Sequence, residues 1–242
     1  MLAAYMLDES GASTHVNAQG TTSRNLTPSA SPPGQDITNK MEGTAASTSV
    51  ASQGLTVSGD TAFNALAGVL SFGCWTRGVN SGAYKQAIGK ADASNGFAMS
   101  YETGPTAKLY ILTGGTTTSI QVSVVANTYA HLVGTYNHPS LKLYKNGALA
   151  ASNGAIPGSP GTSTAALTVS DPANAFAGPG QLDECFVTNT ELSAAAICRI
   201  CSCGVRGEQC TCNGASYTSS GRNATNCGSC TLPSNCAATA PS

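Results

Sequence analysis

TYAHLVGTYNHPSLKLYKNGALAAS, residues 128–152, is the stretch on which the reading of the fold turns. Residues 129–136 form a run rich in aromatic and β-branched side chains, the composition of a strand. Leu141 and Leu143 then alternate with Lys142 and Tyr144, a period of two that puts successive side chains on opposite faces of a pleated strand. Asn146-Gly147 interrupts the alternation before a third run at 148–151. An Asn-Gly pair between two such runs predicts a hairpin, because a type I′ turn needs positive φ at both central positions.

The same period recurs on either side. Phe97, Met99 and Tyr101 alternate with Ala98 and Ser100, and Ile120, Val122 and Val124 with Gln121 and Ser123. Residues 55–58, 69–76, 86–90, 109–113, 166–170 and 182–188 are further strand candidates. Residues 69–75 are apolar on both parities, as expected of a central strand covered on both faces. Residues 22–48, rich in Ser, Thr, Pro and Gly, read as a long surface loop. Thr190 is placed to cap a single short helix, near residues 191–201, through Leu192, Ala194 and Ile197. Many short strands with turns between them predict an all-β, two-sheet antiparallel sandwich.

Composition narrows the function. Of 242 residues 10% are charged and the net charge is −1, which leaves no basic patch to neutralise phosphates. Nucleic acid is therefore not an expected partner. No run approaches the roughly 18 apolar residues of a membrane span, so no membrane insertion is expected. The apolar opening at 1–7 is too short for a signal peptide and lacks a positive flank and a cleavage site, so the sequence is read as starting at a domain boundary. Cys74 and Cys185 lie in the body, whereas Cys198, Cys201, Cys203, Cys210, Cys212, Cys227, Cys230 and Cys236 crowd the last 45 residues. That density predicts a disulfide-rich irregular tail at 198–242, following a body at 1–197, and an oxidising, secreted or extracellular-surface setting. Two CxxC pairs would also suit zinc, but their separation is too long and four more cysteines are left over. Cys74 and Cys185 then form a fifth bridge between two strands, or one of them reaches into the tail.

Five segments in register resemble the laminin-G-like jelly-roll family of the concanavalin-A-like lectin/glucanase superfamily. They are AYMLDESG at 4–11, LSFGCWTRG at 70–78, AIGKADASNGFAMSY at 87–101, the opening stretch at 128–152, and FAGPGQLDECFVTNTELSAAAI at 176–197. The resemblance implies two stacked antiparallel sheets with loops at the rim. It also implies a binding role, toward sugars or other proteins, often with calcium. By the same resemblance Asp183 is the expected calcium ligand, facing an N-terminal loop in which Asn17 stands where an acid is usual and Asp8 and Glu9 lie nearby. An Asn carbonyl can still ligate calcium, with one negative charge fewer. The competing reading is that Asp183 caps a turn or holds backbone N–H groups.

Catalysis finds little support. Asp8-Glu9 and Asp183-Glu184 are adjacent pairs, and neighbours on a strand point to opposite faces, so neither is a retaining glycosidase pair. Glu102 and Asp183 are the remaining carboxylate candidates. His15, His131 and His138 show no metalloprotease or nucleophile-elbow spacing, and His131 is expected to be packed or hydrogen-bonded. Trp75, the single tryptophan, is expected in the core rather than as a sugar platform, and Tyr84, Tyr110, Tyr136 and Tyr144 are not ranked. Asn25-Leu-Thr and Asn223-Ala-Thr match glycosylation sequons. The expected function is a non-catalytic, extracellular module that binds a glycan or a surface protein, with calcium as the candidate cofactor. A self-associating structural or adhesive module is the alternative, and a glycoside hydrolase a distant third.

Overall fold

Seventeen strands and one α-helix make up the regular structure among the described residues. In chain order they are β1 (Ala3–Tyr5), β2 (Thr27–Pro28), β3 (Gly34–Asp36), β4 (Ala46–Thr48), β5 (Leu55–Val57), β6 (Val69–Gly78), β7 (Lys85–Ala91), β8 (Gly96–Glu102) and β9 (Thr106–Thr113). There follow β10 (Thr116–Ser123), β11 (Ala130–Asn137), β12 (Ser140–Lys145), β13 (Ala148–Asn153), β14 (Leu167–Val169), β15 (Gly180–Thr188), α1 (Ala194–Cys203), β16 (Cys210–Cys212) and β17 (Tyr217–Ser219). The computed structural model describes residues 1–9, 14–38, 46–48, 53–57, 59–65, 68–78, 84–102, 104–170, 180–204, 210–212 and 217–219.

Two antiparallel sheets stack into a jelly-roll sandwich. One runs β13-β12-β11-β6-β15-β4-β3, with β1 also on β15; the other runs β10-β9-β8-β7-β14-β5-β2. Their inner faces share one core that includes Leu70, Phe72, Phe97, Met99, Leu109 and Leu132. Phe72 of the first sheet meets Phe97 of the second with ring centroids 4.4 Å apart. Burying each such ring contributes about 1.5–3 kcal/mol, so a handful of these contacts fixes the sheet-on-sheet packing.

The expected central strand is β6, flanked by β11 and β15 and buried almost throughout. Leu70, Phe72 and Cys74 enter the shared core, while Trp75 packs on the opposite face against Cys201 and Tyr129. The Asn-Gly hairpin is present, with Asn146 at φ 52° and Gly147 at φ 83° between β12 and β13. Gly147 has a second reason to be glycine, since a Cβ there would lie 3.3 Å from the Cα of Cys198 on α1.

Two expectations need correction. Residues 22–48 contain β2, β3, β4 and a 3-10 turn at Thr22–Arg24 rather than only loop. These are short strands at or next to the sheet edges, held by backbone pairing, which needs no apolar alternation. The helix is capped by Ser193, whose Oγ accepts from the Ala196 N–H at 3.2 Å, and not by Thr190. The Thr190 carbonyl instead accepts from the Ser71 hydroxyl at 2.7 Å, and Ser71 Oγ accepts from the Leu192 N–H, which anchors the helix approach to β6.

Cys74 and Cys185 are bonded to each other across β6 and β15, with Cα atoms 4.1 Å apart. Two residues of β15, Glu184 and Cys185, stand opposite Cys74, because the register shifts between Asp183 and Phe186. Glu184 sits at φ 46° at this bulge. Cys198 and Cys201 each take part in a disulfide. Cys203, Cys210 and Cys212 are described in backbone only, and Cys227, Cys230, Cys236 and the Asn223 sequon lie outside the described residues. None of the helices among the described residues is long and apolar enough to cross a membrane.

Candidate functional site

The two outer faces differ in what covers them. On the β6 sheet, α1 seats Ile197 and Ile200 against Val133, Tyr144 and Phe186, so that face is internal. On the β7–β8–β9 sheet, strand register alone sets what is presented outward. Phe97, Met99 and Tyr101 enter the core, so Ala98, Ser100 and Glu102 face out. Pairing extends each of these into a row: Ala98 lies between Tyr110 and Gly89, and Ser100 between Lys108 and Gln86. The first row continues through Thr168 and Thr56 to Thr27, and through Ser119 at the other edge.

The centre of this face is a floor of small residues. Gly89, Ala98 and Ser100 are buried, overshadowed by taller neighbours. A Cβ on Gly89 would come within 3.0 Å of the Ala98 Cβ, so even alanine would crowd the floor. The Ser100 hydroxyl is fully buried and has no hydrogen-bond partner among the described residues. An unpaired buried hydroxyl costs free energy that a ligand hydroxyl can recover.

The walls carry complementary chemistry. Tyr84 and Tyr110 meet with centroids 5.9 Å apart and an interplanar angle of 54°. Such rings offer apolar faces with polar tips. The Tyr84 hydroxyl donates to Gln86 Oε1 at 3.2 Å, and Gln86 Nε2 donates to Thr168 Oγ1. This chain fixes the amide orientation and links β7 to β14. Lys108 Nζ lies 2.6 Å from Glu102 Oε2, so the two charges offset each other. The result is a broad, neutral, hydrogen-bonding surface with an aromatic pair over a shallow floor.

The residues expected to hold calcium are placed elsewhere. Asn17 is buried, and its Oδ1 accepts from the N–H groups of Ala4 (3.1 Å) and Gln19 (3.2 Å). Its Nδ2 donates to the Thr21 carbonyl, and its own N–H is held by Asn25 Oδ1 at 2.8 Å. Asn17 thus ties the N-terminal loop to β1. Asp8 offers its backbone carbonyl to Gln35 Nε2 at 2.7 Å. Asp183 is fully buried on β15, opposite Trp75 in the register. Among the described residues no three His, Cys, Asp or Glu side chains gather as a metal would require. The oxygen of Asn17 would have to release two backbone N–H groups to ligate an ion, so the trio does not fit a calcium site as arranged.

Glu102 and Asp183 stand on outward faces of different sheets, on opposite sides of the sandwich, and do not converge on one bond. Trp75 is fully buried beneath α1, and His131 packs on it at 5.1 Å. Of the four tyrosines, Tyr136 and Tyr144 are buried, whereas Tyr84 and Tyr110 form the aromatic wall. Sequence reading passed over Gln86, Gly89, Ala98 and Ser100. The one available signal was the parity of β8, where small and polar residues alternate with Phe97, Met99 and Tyr101.

A family model described as the concanavalin A-like lectin/glucanases superfamily, of laminin-G type, matches residues 43–198. The chain belongs to that family. No curated protein matches the sequence. Among solved structures it is similar to the binding domain of botulinum neurotoxin serotype G, with 13% identity over 81% of this chain and 49% of that one, at a TM-score of 0.63. It is also similar to the binding domain of Paraclostridial Mosquitocidal Protein 1, with 14% identity over 80% and 50%, at a TM-score of 0.63. A third is domain 4 of AbnA, an extracellular arabinanase of Geobacillus stearothermophilus, solved in complex with arabinotriose, with 13% identity over 81% and 95%, at a TM-score of 0.61. The chain spans about half the length of the toxin domains it matches. These neighbours are mostly binding domains.

Proposed function

We propose that this chain is a non-catalytic, extracellular carbohydrate-binding module whose ligand lies across the outer face of the β7–β8–β9 sheet. The observation that carries the reading is the floor of Gly89, Ala98 and Ser100 flanked by the Tyr84–Tyr110 pair and the Gln86–Thr168 link. Small residues leave room for a flat ring, and fixed amides and hydroxyls match the alternating donors and acceptors of sugar hydroxyls. Seven strands at about 4.8 Å give a platform about 29 Å across, long enough for an extended oligosaccharide. The offset of Lys108 by Glu102 favours an uncharged glycan.

The disulfide-rich composition supports an extracellular setting. A glycan array tests the proposal, run once with calcium and once with a chelator. Signal on neutral oligosaccharides is expected, and silence in both conditions refutes it. A calcium-assisted form would recruit Asp183 and Asp8 and require Asn17 to leave Ala4 and Gln19; equal signal in both arms removes calcium from the proposal.

A further inference from the structure

At one end of the sandwich a lysine points inward where the register calls for a core residue. Lys90 stands opposite Phe97, a core side chain, and is only 5% exposed. Its ammonium donates to the Ala165 carbonyl in the segment before β14. An ammonium has three donors, and no second acceptor for Lys90 is found among the described residues. Burial lowers its pKa, partly offset by the charge of Asp92.

Lys90 lines a cleft of about 330 Å³, near the lower end of the range of about 300–1,000 Å³ that small-ligand sites occupy. Val57, Phe63 and Leu167 form an apolar base, and Thr61 and Thr164 stand at the exposed mouth. Asp60 also lines the cleft. Its carboxylate accepts from Arg24 Nε at 2.8 Å, Ser23 Oγ at 3.1 Å and the Ala62 N–H at 2.7 Å. Burial would raise its pKa, but these donors outweigh that and hold it below the usual carboxylate range. The lining of the cleft therefore includes a buried cation with no second acceptor among the described residues and a fixed carboxylate. A ligand complementary to both carries an anionic acceptor for Lys90 and hydroxyl donors for Asp60, on a body small enough for the apolar base.

We infer that this cleft is a second binding site, separate from the sheet face, for a monosaccharide-sized hydroxylated carboxylate of the sugar-acid class. The same chemistry could arrive as a free sugar acid or as the terminal residue of a glycan.

The test uses the full chain and D-glucuronate, followed by calorimetry and by the ¹³Cε and ¹⁵Nζ resonances of Lys90. Glucuronate should shift the Lys90 resonances, whereas glucose and the methyl ester of glucuronate should not. Lys90→Met should weaken binding at least tenfold, the factor carried by one hydrogen bond to a charged group. Because that variant touches the core edge, Ala166→Trp at the half-buried cleft wall serves as a second blocking variant and should also abolish binding. Tyr110→Ala on the sheet face should leave glucuronate binding unchanged, which separates failure here from failure of the glycan-face reading. Comparing free glucuronate with an oligosaccharide ending in glucuronate distinguishes the two sources by which binds more tightly. An unmoved Lys90 signal, equal binding of the methyl ester, or binding that survives Ala166→Trp would overturn the inference.

Discussion

Replacing both Cys74 and Cys185 with alanine isolates what the cross-strand bridge contributes. The bridge closes a loop with a sequence separation of 111 residues. In the chain-entropy treatment a loop of that length restricts the unfolded chain by about 16 cal/mol/K, or about 5 kcal/mol at 25 °C. Both sulfurs are fully buried in the shared core, so their removal adds a smaller packing loss of the same sign. The expected loss is therefore about 4–6 kcal/mol. For a chain of this size each kcal/mol moves the midpoint by about 2–4 °C, which predicts a drop in Tm of roughly 10–20 °C. Urea titration of the two proteins, with the remaining cysteines kept oxidised, gives the free-energy difference directly. A loss under about 1 kcal/mol at unchanged m-value would refute the reasoning. It would mean that the pairing of β6 with β15 restricts the chain equally well without the bond. A changed m-value would instead locate the effect in the compactness of the unfolded state.

Three further outcomes are expected. Tyr84→Ala and Ala98→Leu should each weaken glycan binding about tenfold or more while far-UV circular dichroism stays unchanged, since both side chains face outward and neither belongs to the shared core. Gly134→Ala should destabilise by about 1–3 kcal/mol in chemical denaturation, because the added Cβ would fall 2.5 Å from Leu109 Cδ1 between the sheets. Asp92 accepts from the N–H groups of Ser94, Asn95 and Thr164 at 2.8–2.9 Å, and these bonds lower its pKa to about 2. Its folded pKa lies below its unfolded value near 3.9, so its contribution is complete above pH 4 and disappears as pH falls through 2. The Tm gap between wild type and Asp92→Asn should accordingly stay constant from pH 7 to 5 and close between pH 4 and 2; a gap independent of pH would refute that role.

Much of the sandwich could be read from the chain itself. Alternation of Phe97, Met99 and Tyr101 named the core face of β8, and the two-sided apolar run at 69–75 named the centre of its sheet. The Asn146-Gly147 pair located a hairpin, because only a few residue types tolerate positive φ at both positions. These are local properties, decided by side-chain period and backbone sterics. The short strands β2, β3 and β4 could not be read, since backbone pairing leaves no mark on side-chain pattern. Nor could Ser193 be preferred to Thr190 as the helix cap, because the choice depends on Ser71 of a distant strand holding both sides of the helix approach.

The candidate site belonged almost wholly to tertiary structure. Tyr84 and Tyr110 are separated by 26 positions and meet only because β7, β8 and β9 pair in one register. Gly89, Ala98 and Ser100 look unremarkable as letters, and they become a floor once the opposite faces of their strands are buried. The N-terminal Asn17 shows the converse. The family resemblance made it a candidate metal ligand, and only packing shows that its oxygen accepts from the N–H groups of Ala4 and Gln19. Which side chains must leave water follows from composition and period along the chain. Which side chains meet on an outer face, and which face α1 covers among the described residues, follows instead from strand pairing and the seat of α1.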